Sequence, residues 1–169
     1  MRFIIIGHQG QGVTTLARIL AKAGALSGLY SQAYSEISDE VVKGYVRFSK
    51  DPITEKGPVI DPEYYIIFDE KLLSFKEVLD GKIVVISAME KPSSPWIKKK
   101  KLKVHYVDAV GIGQSFIKRP FPSTALLGAL LKPFNKISMK SMKLAIEADI
   151  KARPKENQTC VEEGYKNVK

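Results

Sequence analysis

The sequence predicts one α/β domain over residues 1–169, Rossmann-like, with a mostly parallel doubly wound sheet flanked by helices and a helical C-terminal part. Three observations carry this. An apolar run passes through a glycine loop straight into an amphipathic helix. Further short apolar runs then alternate with helical stretches as far as Val107. Beyond Asp108 the periodicity becomes mostly helical. A chain of 169 residues suits a single core.

Phe3-Ile4-Ile5-Ile6 is apolar, rich in β-branched residues and closed by glycine, as expected of a strand buried on both faces. Val13, Leu16, Ala17, Leu20 and Ala23 recur at helical spacing, so a helix is expected from Val13 to about Leu26. Leu29 to Tyr34 reads as a second strand. Tyr45 to Phe48 reads as a short third one with Tyr45 and Arg47 on one face, before the Asp51-Pro52 turn. Tyr64 to Phe68 is a strand ending at Asp69, and Lys71 to Leu79 a short helix closed by Asp80-Gly81. Ile83 to Ile86 is the clearest buried strand. Pro92 to Pro95 is a loop, followed by a lysine cluster, Lys98 to Lys101 with Lys103, read as a solvated turn. Leu102 to Val107 alternates as a strand containing His105. Four helical stretches follow: Gly111 to Ile117; Ala125 to Leu131, capped by Ser123 or Thr124; a longer one from a Ser138 cap to about Ile150; and Asn157 to Tyr165. Arg119-Pro120-Phe121-Pro122 is a rigid extended link.

Composition narrows the function classes. Hydrophobic residues make up 44%, enough for a core without staples. Lys plus Arg number 27 against 18 Asp plus Glu, a net charge of +9, which suits a phosphate-bearing cofactor or an acidic partner. The charge is spread along the chain, aromatics do not alternate with basic residues, and no DNA- or RNA-binding motif is present, so no nucleic-acid partner is expected. Cys160 is the only cysteine, which excludes an internal disulfide, a cysteine-rich zinc site and an iron–sulfur cluster held by this chain alone. His8 and His105 are too few for a histidine metal site. The apolar start is too short for a signal-peptide core or a membrane span, so a cytoplasmic protein without membrane contact is expected.

The chemistry concentrates in Gly7-His8-Gln9-Gly10-Gln11-Gly12, between a strand and a helix. Amides at a helix N-terminus attract anions, and glycine lets a phosphate approach. Two phosphate-binding patterns nearly fit. The dinucleotide fingerprint needs a third glycine where Gln9 stands, and its ribose-binding acid should lie about 20 residues further on, near Glu36 but not clearly there. The P-loop needs a lysine where Val13 stands, which excludes ATP hydrolysis. Two readings remain: a loop that only makes a tight turn, or one that takes a phosphate-bearing ligand with part of the site supplied by partner chains. The polar side chains of His8, Gln9 and Gln11 favour the second.

The loop also resembles that of a known family. Gly10-Gln11-Gly12-Val13 followed by a helix is similar to the gamma domain of pyruvate and other 2-oxoacid:ferredoxin oxidoreductases, whose loop usually reads Gly-x-Gly-Gly-Gln-Gly; here Gln9 replaces one glycine. The stretches Tyr34-Ser35-Glu36, Tyr45-Val46-Arg47-Phe48-Ser49 and Pro52-Ile53 match in order. So do Ile66-Ile67-Phe68-Asp69 with Leu72-Leu73, the segment from Arg119 to Leu130, and Glu163-Gly164-Tyr165. One departure stands out: the family often carries an Arg-Gly-Gly-like element after the glutamate matched by Glu36, and this chain has Ile37-Ser38-Asp39-Glu40.

The resemblance implies a subunit of a complex that converts a 2-oxoacid and coenzyme A to acyl-CoA and carbon dioxide while reducing ferredoxin. It implies thiamine diphosphate, magnesium and iron–sulfur clusters on the alpha, beta and delta-type partner subunits, and none bound by this chain alone. Pyruvate is the expected 2-oxoacid, with an indolepyruvate or 2-oxoglutarate enzyme as the alternative. No catalytic residue is expected here. The role is structural, with Gly7, His8, Gln9, Gly10, Gln11, Gly12, Glu36 and Arg47 as candidate coenzyme A contacts, although Glu36 and Arg47 would equally make an ion pair. A stand-alone Rossmann-like nucleotide-binding protein is the competing reading.

Overall fold

The computed structural model describes residues 1–38, 41–76, 78 and 80–169. Its strands are β1 (Arg2–His8), β2 (Tyr30–Ile37), β3 (Val41–Ser49), β4 (Tyr64–Ile67), β5 (Ile83–Ser87) and β6 (Lys103–Val107). They form one six-stranded sheet in the order β2-β3-β1-β4-β5-β6. The helices are α1 (Val13–Leu26), α2 (Pro95–Lys99), α3 (Ala109–Phe116), α4 (Ser123–Leu130), α5 (Met139–Asp149) and α6 (Pro154–Asn167), with a 3-10 helix at Glu70–Ser74.

Strands β1, β4, β5 and β6 run parallel, whereas β3 is antiparallel to both β1 and β2. The short connection between β2 and β3 enforces this, because it is too short for a crossover. The strand β2, reached from β1 through α1, therefore runs parallel to β1 but lies one place away, with β3 inserted between them.

The alternation of β1 sends side chains to two separate cores. Phe3 and Ile5 pack with α1 and with α3 to α6, while Ile4 and Ile6 pack with Tyr65, Leu72 and Leu73 on the other face, bordered by Trp96 and Ile97 of α2. The first layer is thick and helical; the second is thin. In the thick layer α4 and α6 touch backbone to backbone. A Cβ on Gly128 would lie 1.9 Å from the Val161 carbonyl oxygen, and one on Gly164 2.0 Å from that of Ala125, so only glycine permits this approach.

Several elements differ from expectation. The strand β3 starts at Val41 rather than Tyr45, because Val41 and Val42 are buried beside β1. The expected helix from Lys71 shrinks to one 3-10 segment capped by the Asp69 carboxylate, which accepts from the Lys71 N–H; Leu79 lies outside the described residues. The lysine cluster is no solvated turn throughout. It opens in the short helix α2, and Lys100 is buried, donating to the Leu73 and Phe75 carbonyls. Neither Ser123 nor Thr124 caps α4. Pro122 occupies that position, and the Thr124 hydroxyl donates instead to Asn157 Oδ1 of α6. Ser138 caps α5 as expected. Helix α6 begins three residues early, with Pro154 in its first turn, where a missing N–H costs nothing.

Candidate functional site

Strand β1 delivers the glycine loop to the carboxyl edge of the sheet, where open α/β folds bind ligands. Gly10 and Gly12 adopt left-handed backbones, φ 82° and 93°, and Gly12 is the N-cap of α1. No side chain caps α1 and its first turn carries no acid, so its terminal amides keep their positive end uncompensated.

The remaining loop residues divide by role. Gly7 is a packing requirement: a Cβ there would meet Val13 Cγ2 at 2.7 Å. Gln11 spends its side chain internally, its Oε1 accepting from the His8 N–H at 2.7 Å, while its own N–H donates to the His8 carbonyl at 3.2 Å. These two bonds close the turn. His8 and Gln9 are exposed and lie outside the cavity described next.

Gly10, Gln11, Gly12 and Thr15 form one wall of a cavity of about 500 Å³. The other wall comes from the α3–α4 connection, with Lys118, Arg119 and Phe121, from Arg153 of the α5–α6 connection, and from Asn157 in the first turn of α6. Sequence reasoning missed Lys118, Arg119 and Arg153. The available signal was the basic pair ahead of Pro120 and the arginine ahead of Pro154, but nothing in the sequence placed either beside the loop. Among the described residues no His, Cys, Asp or Glu lines the cavity. It can hold an anion, and offers neither a nucleophile paired with a base nor a carboxyl pair for proton transfer.

Glu36 and Arg47 sit elsewhere. The β2–β3–β1 register places Glu36 opposite Lys43 and Lys43 opposite Ile6, two strands from β1. The Glu36 carboxylate accepts from the Tyr45 hydroxyl at 2.8 Å. Arg47 pairs with Arg2, at the far end of β1 from the loop, about 20 Å away at the usual rise per strand residue. It is buried, and it donates to Glu55 Oε2, Gln32 Oε1 and the carbonyls of Gly57 and Pro58, fastening the segment after β3 to the sheet. The expected Glu36–Arg47 ion pair is replaced by Arg47–Glu55 at 3.1 Å. Of the Ile37-to-Glu40 departure, Asp39 and Glu40 lie outside the described residues.

Burial lowers the affinity of the His105 ring for a proton, reinforced by Lys132. Burial pushes the Cys160 thiol up to about 11, so it stays protonated and unreactive. Among the described residues no three His, Cys, Asp or Glu side chains gather as metal ligands. The described residues therefore do not fit an iron–sulfur cluster or a metal-bound diphosphate cofactor. Among the described residues no helix is long and apolar enough to cross a membrane.

Comparison with known proteins agrees with this architecture. The model of the pyruvate ferredoxin/flavodoxin oxidoreductase family matches residues 2–167. The chain is 31% identical over 170 residues to the pyruvate/ketoisovalerate oxidoreductases common subunit gamma of Thermococcus kodakarensis, covering 94% of this chain and 92% of that one. It is 31% identical over 144 residues to the pyruvate synthase subunit PorC of Methanothermobacter marburgensis, covering 80% and 78%. The crystal structure of pyruvate oxidoreductase subunit PORC from Thermotoga maritima superposes with a TM-score of 0.85 at 24% identity, over 100% of this chain and 97% of that one. A 2-oxoglutarate:ferredoxin oxidoreductase from Magnetococcus marinus, solved with 2-oxoglutarate, coenzyme A and succinyl-CoA, contains the same fold at a TM-score of 0.77 and 18% identity; the match spans 98% of this chain and 30% of that one. With the family model spanning nearly the whole chain and relatives above 30% identity covering most of it, this chain belongs to the pyruvate ferredoxin/flavodoxin oxidoreductase family.

Proposed function

We propose that this chain is the gamma-type subunit of a heteromeric, cytoplasmic 2-oxoacid:ferredoxin oxidoreductase, with pyruvate as the 2-oxoacid, and that its glycine loop contributes to the coenzyme A site. Relatives named as gamma and PorC subunits support the first part. A single buried, protonated cysteine and the lack of a ligand cluster among the described residues support placing the thiamine diphosphate, magnesium and iron–sulfur clusters on alpha, beta and delta-type subunits. Those partners, with ferredoxin as acceptor, then carry the redox steps.

The observation that carries the coenzyme A part is the open N-terminus of α1 lining one cavity with Lys118, Arg119 and Arg153, with no acid among the described lining residues. Coenzyme A brings several phosphate charges. Bare amides bind them by hydrogen bonding, and lysine and arginine by charge. In this reading Gly10 and Gly12 contact ligand, Gly7 and Gln11 shape the turn, and Glu36 and Arg47 serve the fold of the β2–β3 hairpin.

The test is Gly10→Asp in the assembled complex. A Cβ on Gly10 meets nothing within 4 Å, and aspartate tolerates its left-handed backbone better than most residues, so the change adds a negative charge without a clash. The Michaelis constant for coenzyme A should rise about tenfold or more, the worth of one strong charge interaction. An unchanged constant removes the loop from the site.

A further inference from the structure

We infer that Lys118 and Arg153 are dedicated phosphate-ester ligands of the cavity. This deepens the reading that the glycine loop faces coenzyme A, and rests on it for the identity of the natural ligand. Both residues hold left-handed backbones, φ 62° and 52°. Every residue with a Cβ is strained there, and glycine is the least costly occupant. Two cations instead stand at the two bends that form one wall of the cavity.

Neither side chain is used up in holding its bend. Lys118 Nζ gives one hydrogen bond to the Ser115 carbonyl at 2.8 Å, leaving two donors. Arg153 gives one to the Ile117 carbonyl at 2.8 Å, leaving four, and so ties the two bends together. Among the described residues neither they nor Arg119 pairs with a carboxylate.

The wall is also rigid. The Arg153 carbonyl accepts from both the backbone and the side-chain amide of buried Asn157, whose Oδ1 accepts from the Thr124 hydroxyl of α4. The bends are thereby mounted on the closely packed α4–α6 pair. Ile117, Phe121 and Ile150 add apolar lining. The combination suits an organic phosphate ester: charge is met by Lys118, Arg153 and the α1 amides, and the remainder of the ligand by the apolar side.

Lys101 supplies a built-in control. It is the third left-handed basic residue, φ 50°, and it follows α2 away from the cavity. Lys118→Gly, Arg153→Gly and Lys101→Gly all relieve the same backbone strain, but only the first two remove a cavity cation. Inorganic pyrophosphate, added to the purified complex at about ten times its dissociation constant, should raise the melting temperature of wild type and Lys101→Gly by about 3 °C. The rise should vanish in Lys118→Gly and Arg153→Gly, whose own melting temperatures without pyrophosphate should not fall below wild type by more than about 3 °C. Lys118→Gly decides the matter alone if Arg153→Gly does not fold. An equal rise in all four proteins, or none in wild type, overturns the inference. The Gly10→Asp measurement stands apart. If it leaves the coenzyme A constant unchanged while pyrophosphate protection depends on Lys118 and Arg153, the cavity binds phosphate groups through these two cations and the glycine loop is not part of the coenzyme A site.

Discussion

Two arginines define two regions of this molecule. Arg47, in the β2–β3 hairpin, is buried and donates to four acceptors; Arg153, at the start of α6, is exposed and donates to one. Both belong to a basic chain, and both resemble binding residues when seen as letters. Their difference lies in what remains after folding. Arg47 has its donors consumed by Glu55, Gln32 and two carbonyls, and holds the segment after β3 in place. Arg153 keeps most of its donors and lines a cavity with no acid among its described residues. An arginine is available to a ligand only to the extent that the fold leaves its hydrogen bonds unmade.

The comparison can be broken from either side. The largest effect should come from the platform under Arg153. Gly128→Ala forces a methyl to within 1.9 Å of the Val161 carbonyl oxygen, so α4 and α6 must separate. A loss of about 4 kcal/mol is expected, read by chemical denaturation, together with loss of pyrophosphate protection as the wall moves. Next comes Arg47→Ala, which leaves the Gly57 and Pro58 carbonyls without their donor, whereas the largely exposed Glu55 carboxylate returns to water. About 3 kcal/mol should be lost, lowering the melting temperature by roughly 10 °C, while the coenzyme A constant of whatever complex survives stays at its wild-type value. A change in that constant would return Arg47 to the site.

The Gly10→Asp variant, with its expected tenfold rise, is third in size. The smallest effect concerns Asp149 at the end of α5. Burial raises its carboxyl, but hydrogen bonds from Lys22 and Arg18 of α1, with their charges, outweigh this and hold it below the ordinary carboxylate range. A lowered folded-state pKa contributes stability that is complete above the unfolded value, about 3.9, and is lost as pH falls through the folded one. The wild type should therefore lose stability below about pH 4 more steeply than Asp149→Asn. Parallel acid-denaturation profiles would remove the α1–α5 clamp from the account.

Much of the architecture was legible because it is local. Helix α1 begins and ends where its apolar period places it, and β1 and β5 follow their β-branched runs. The β2–β3 hairpin was read only in part. Its orientation depends on a connection too short to cross the sheet, and β3 extends to Val41 because the neighbouring β1 covers those residues. Lys100 was misread for the opposite reason: a charged residue within a lysine run reads as solvated until the carbonyls of Leu73 and Phe75 are seen to enclose it.

The candidate site divides along the same line. The sequence by itself determined the glycine turn and its amide-rich helix entrance, because both depend on the backbone freedom of a few adjacent residues. Only the tertiary structure decided what faces them. Lys118, Arg119 and Arg153 come from the far half of the chain, and their arrival opposite Gly10 and Gly12 depends on α4 and α6 packing closely through Gly128 and Gly164. Contacts of that range are set by how whole layers fit together, which no local pattern records.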